Sequence, residues 1–139
     1  RKKVDGTSFE DGHISKKFAL KHHELGDLYN TYQRYDEALF EYNKAVTLDS
    51  SLLEARIKVA KVYAKKGFFS KAFDELQRLQ NEVPTYLQAR VALGVLYYGR
   101  GQILEAQSQW EKVLVKDPHN KEAGMYLNLS QTATETKLT

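Results

Sequence analysis

Leu25-Gly26-Asp27-Leu28-Tyr29, Val59-Ala60-Lys61-Val62-Tyr63 and Leu93-Gly94-Val95-Leu96-Tyr97 are one pattern written three times, each copy 34 residues after the last. The register holds beyond these stretches. Ala38, Ala72 and Ala106 fall in line, as do Tyr42, Leu76 and Trp110, and the only prolines, Pro84 and Pro118, keep the same separation. A period of this length means supersecondary units that cannot bury an apolar face alone and therefore stack on their neighbours. Stacking leaves a long open surface, so the pattern points to a binding scaffold.

Outward from the repeated stretches, apolar residues recur three and four apart. Phe18, Leu25, Leu28 and Tyr29 mark one helix, and Ala38, Leu39, Tyr42, Ala45, Val46 and Leu48 the next. Tyr32-Gln33-Arg34-Tyr35 is too short a link for anything but an antiparallel pair. Lys66-Gly67-Phe68 and Arg100-Gly101-Gln102 repeat it, with a glycine able to end a helix in the left-handed conformation. Asp49-Ser50-Ser51, Val83-Pro84-Thr85 and Asp117-Pro118-His119 separate one hairpin from the next. The repeats are thus 19–52, 53–86 and 87–120. Residues 120–134 form a seventh helix that caps the last hairpin, giving a domain at 15–134. Residues 1–14, with Gly6, Gly12 and no periodicity, read as a flexible arm, and 135–139 as a frayed tail.

The chain has 139 residues, enough for one domain, and its 42% hydrophobic content supplies a core. No apolar run approaches the roughly 18 residues of a membrane span, and no signal-peptide core opens the chain. A soluble protein is expected, with a cytoplasmic setting favoured. Arg1 rather than Met at the start suggests a piece of a longer or processed chain. Without cysteine there are no disulfides, thiolate metal sites or cysteine nucleophiles. A formal charge of +3 is too mild to announce nucleic acid.

The repeat resembles that of the tetratricopeptide repeat family, over residues 19 to 120 and with the final helix in frame. The resemblance is carried by Leu25-Gly26-x-x-Tyr29 with Ala38-x-x-x-Tyr42, Val59-Ala60-x-x-Tyr63 with Ala72-x-x-x-Leu76, and Leu93-Gly94-x-x-Tyr97 with Ala106-x-x-x-Trp110. It implies an all-α solenoid of three antiparallel hairpins plus a seventh helix, in which small residues let helices approach and aromatics fill the space between hairpins. The fourth repeat position, usually aromatic in the family, holds His22, Arg56 and Arg90 here.

The resemblance also implies a concave groove lined by the first helix of each hairpin. Carried over residue by residue, its partner-binding positions include His23, Asp27 and Asn30, then Ile57, Lys58, Lys61 and Lys65, then Val91, Val95 and Tyr98. The last helix adds Met125 and Leu129, with Glu122 and Tyr126 beside them. This surface passes from polar through lysine-rich to apolar. Lys58, Lys61 and Lys65, three and four apart, share one helical face that suits carboxylates or phosphates, or else stands solvated. A family subgroup grips the terminal carboxylate of heat-shock chaperones with Lys, Asn and Arg, at places that hold His23, Asp27, Lys58, Gln88 and Ala92 here. The clamp residues are absent, so no chaperone-tail binding is expected.

His22 and His23 point about 100° apart on a helix and cannot share one ion. No metal or other cofactor is expected. No nucleophile-base-acid arrangement or phosphate loop can be proposed from spacing, and no enzyme is expected. The expectation is a noncatalytic adaptor that holds a peptide or helix of a partner protein. The alternative is a segment of a longer solenoid or a self-associating module, with Met125 and Leu129 covered by further repeats.

Overall fold

In a computed structural model the described residues are 9–138, and they form seven α-helices and no strand. These are α1 (Phe9–Thr31), α2 (Tyr35–Leu48), α3 (Leu53–Lys65), α4 (Phe69–Glu82), α5 (Leu87–Gly99), α6 (Ile103–Lys116) and α7 (Lys121–Leu138). The helices make two compact units that divide between Ala72 and Phe73, so that α4 begins in the first and ends in the second.

The same backbone device closes all three hairpin turns. The amides of Arg34, Phe68 and Gln102 donate to the carbonyls of Tyr29, Tyr63 and Tyr97, five residues back, at 2.9, 2.8 and 2.9 Å. Such a bond requires a left-handed residue just before the donor. Gly67 and Gly101 supply it at φ 85° and 81°, and Gln33 occupies the equivalent place at φ 61°. The first turn therefore reaches the same geometry with a side chain that disfavours it by about 1 kcal/mol or more. At the start of α7 the Asn120 side chain caps the helix, its Oδ1 accepting from the Ala123 amide at 2.9 Å.

In the first unit, buried Ala38, Tyr42, Val59 and Val62 pack with Tyr29, Tyr35, Leu39 and Tyr63. Gly26 is where α1 meets α2, for a Cβ there would lie 2.5 Å from the Tyr42 ring. In the second unit, Val91, Ala106, Trp110, Val113 and Ala123 form the core, flanked by Leu87, Tyr97, Leu114, Tyr126 and Leu127. Gly94 stands to Trp110 as Gly26 stands to Tyr42: an added Cβ would lie 2.3 Å from the indole nitrogen. The small eighth position and the large twenty-fourth position of the repeat are a lock and its key in both units.

Two boundaries differ from the sequence reading. Helix α1 begins at Phe9, so residues 9–14 of the expected arm are helical, while residues 1–8 lie outside the described residues. Helix α7 continues to Leu138, through the segment expected to fray, with Thr139 outside the described residues. The glycine at position 12 lowers helix propensity by about 1 kcal/mol. A 23-residue helix accommodates that cost.

Candidate functional site

The first unit carries a polar cluster between α1 and α3. Lys58 Nζ on α3 donates to both carboxylate oxygens of Asp27 on α1, at 2.8 and 3.0 Å, and stands 3.7 Å from Glu54. The Tyr42 hydroxyl on α2 donates to the same Asp27 Oδ1 at 2.6 Å. Burial alone would raise the Asp27 carboxyl. Hydrogen bonds from Lys58 and Tyr42, with the charges of Lys58 and His23, outweigh it and hold the group below its ordinary range. Burial and the adjoining Asp27 carboxylate push the Tyr42 phenol well up, so it stays a donor.

His23 Nε2 stands 4.0 Å from Asp27 Oδ2, beyond hydrogen-bond reach, and is buried without a hydrogen-bond partner among the described residues. His22 turns the other way, with Nδ1 at 2.6 Å from Glu41 Oε1 on α2. Arg90 Nη1 donates to Gln109 Oε1 at 2.9 Å across the same 19-residue separation in the second unit. At the fourth repeat position His22 and Arg90 thus reach their own hairpin's second helix.

The lysine stripe divides. Lys58 is taken by Asp27, and Lys65 Nζ donates to Asn30 Oδ1 at 3.3 Å while lying 5.8 Å from the Tyr35 ring centre. Lys61 alone of the three is exposed without a polar partner among the described residues. Ile57 and Val91, placed in the groove from the sequence, are only 6% and 5% exposed, and Val91 belongs to the second unit's core. Both sit where the helix faces its neighbours, which position-by-position transfer could not distinguish from an open surface.

The second unit opens an apolar concavity of about 310 Å³, lined by Val95, Tyr98, Trp110, Tyr126, Leu129 and Ser130. Trp110 forms its floor, stacked on Tyr126 with ring centres 5.4 Å apart and tilted against Tyr98 at 6.1 Å. The indole N–H donates to the Val91 carbonyl at 3.2 Å, which fixes the ring. Ser130 brings the sole hydroxyl other than the tyrosines, and it is engaged: Gln107 Nε2 donates to it at 3.0 Å and it donates to the Leu127 carbonyl at 2.7 Å. Val95, Tyr98 and Leu129 form the rim with their side chains partly in solvent, and Met125 lies exposed on the same helix as Leu129. The sequence reading named the rim and missed the floor. Trp110 had been accounted for as a packing aromatic, and the one signal in the chain was that it is the single tryptophan.

Helical hairpins on one 34-residue period, closed by one turn geometry and locked in the first and third by one small-to-large contact, define a helical-repeat protein. No family model matches the chain. Over 116 residues it is 32% identical to mouse tetratricopeptide repeat protein 14, a match spanning 78% of this chain and 15% of that relative. Solved structures resemble it too, and two serve as examples. One is the first TPR of Spaghetti (RPAP3) bound to the HSP90 peptide SRMEEVD, with TM-score 0.68, 25% identity, and 86% and 95% of the two chains covered. The other is the first TPR domain of human RPAP3, with TM-score 0.70, 26% identity, and 86% and 94% covered. The chain belongs to the tetratricopeptide repeat family. Among the described residues, no helix is long and apolar enough to cross a membrane.

Proposed function

We propose that this chain is a noncatalytic interaction module whose second unit seats an apolar side chain, on a peptide or short helix of a partner protein, in the concavity over Trp110. The observation that carries this reading is a rigid aromatic floor beneath a partly exposed rim of Val95, Tyr98 and Leu129, with the Ser130 hydroxyl already engaged by Gln107 and the Leu127 carbonyl. Rigid aromatic anchors are where binding energy concentrates.

Replacing Val95 and Tyr98 together by glutamate puts charge on the rim without entering the core. Partner capture in pull-downs read by mass spectrometry is expected to fall by about 2 kcal/mol or more, roughly thirtyfold in Kd, with the helical circular dichroism unchanged. Capture retained at the wild-type level would refute the pocket.

A second reading comes from the likeness to the Spaghetti domain, whose structure holds an HSP90 peptide. The exclusion of chaperone tails drawn from the sequence finds no support in that likeness. Two features of this chain favour the exclusion nonetheless: Ala92 is buried at one clamp position, and Asp27 presents a carboxylate at another, where a peptide's terminal carboxylate would be repelled. Calorimetric titration with SRMEEVD separates the readings. No heat is expected, and micromolar binding would make this chain a receptor for chaperone tails.

A further inference from the structure

Helix α1 carries a second apolar feature that the packing of the first unit leaves unused. Ile14, Phe18, Lys21, Leu25 and Leu28 of α1, with Tyr32 in the turn directly after it, follow one another at spacings of 4, 3, 4, 3 and 4, and every one is exposed, the five apolar side chains at 41% to 71%. At 100° per residue the five helical positions fall within about 80° of arc. That is the narrow 3.5-residue stripe by which two helices pack side by side, and it lies away from buried Ala19 and Gly26. Exposed apolar rows of this length mark interaction sites.

We propose that this seam pairs with the same seam of a second copy, antiparallel, to form a twofold dimer. The seam is self-complementary about its centre: reversed against itself, Ile14 meets Tyr32, Phe18 meets Leu28, and Lys21 meets Leu25. The lone charge in the row decides the direction. Parallel pairing stacks Lys21 on its twin, which like-charge repulsion opposes. Antiparallel pairing sets Lys21 of each copy alongside Glu24 of the other, and neither residue has a polar partner among the described residues. The interface is isologous, so it closes at two copies and does not propagate.

The absence of cysteine makes the test clean. Sedimentation across a dilution series should show a reversible monomer–dimer equilibrium, abolished by Leu25→Glu with Leu28→Glu while circular dichroism is retained. Under mild oxidation, a mixture of the single variants Phe18→Cys and Leu28→Cys should give the mixed disulfide dimer, and Phe18→Cys alone little. The Val95 and Tyr98 glutamate variant should dimerise normally, so this interface and the pocket over Trp110 stand or fall separately. A monomer at every concentration overturns the proposal, as does efficient crosslinking of Phe18→Cys to itself.

Discussion

At the scale of the residue, the repeat positions occupied by glycine are unequal. Gly94 lies under Trp110, whose nitrogen would be 2.3 Å from an added Cβ, and Trp110 cannot retreat because it is buried and stacked on Tyr126. Gly124, inside α7, has nothing within 4 Å of the same added atom. Both substitutions by alanine gain helix propensity of about 1 kcal/mol. For Gly94→Ala the overpacking, typically about 1 to 3 kcal/mol, outweighs that gain. Urea unfolding should therefore find Gly94→Ala destabilised and Gly124→Ala stabilised by about 0.5 to 1 kcal/mol. The need for a small residue at Gly26 and Gly94 was legible in the 34-residue period. Which ring fills the space, and how tightly, depends on a neighbour 16 residues away that periodicity names without placing.

At the scale of the element, what ties α1 to α3 is polar as well as apolar. Asp27 joins α1 to α3 through Lys58 while anchoring Tyr42 of α2. The hydrogen bonds from Lys58 and Tyr42 hold its folded carboxyl below the ordinary carboxylate range, so the ionised form is the one that folding favours. The contribution is complete above about pH 5, where the unfolded carboxyl is also ionised, and is lost as pH falls through the folded value. Asp27→Asn keeps an acceptor for Tyr42 and removes only the charge. The variant should melt below wild type at pH 7, with the gap closing as pH falls from about 5 toward 2. With the Asp27 side chain 46% exposed, solvent screening holds the difference to about 1 kcal/mol or less. A gap that stays constant down to pH 2 would refute the ionic account. This pairing was not legible in the chain, because it bridges 31 residues and joins two side chains both assigned to the open surface. The early start of α1 was illegible for a different reason: its first two turns carry Gly12 and no apolar periodicity before Ile14.

At the scale of the whole molecule, the period disclosed the number and order of the helices, whereas the charge pattern did not disclose which lysines pair within the fold. A lysine stripe on one helix face suits carboxylates or phosphates or else stands solvated, and the acceptors for two of its members come from the preceding repeat. Asp27 takes Lys58 and Asn30 takes Lys65, which leaves Lys61 to act at a distance. A formal charge of +3 spread over 139 residues adds little steering of its own. The three lysines should then separate by function. Lys58→Ala breaks an internal pair and is expected to lower the melting temperature while changing partner affinity less than twofold. Lys61→Ala should leave the melting temperature unchanged. An exposed charge near a binding surface acts mainly through association rate, so Lys61→Ala should slow association by about two- to threefold at low salt, a difference that vanishes above about 0.5 M salt as screening shortens the reach of the charge. Melting curves and surface plasmon resonance on the captured partner read both quantities. Equal losses of affinity for the two variants would mean that Lys58 leaves Asp27 when the partner arrives, and that the stripe works as a unit after all.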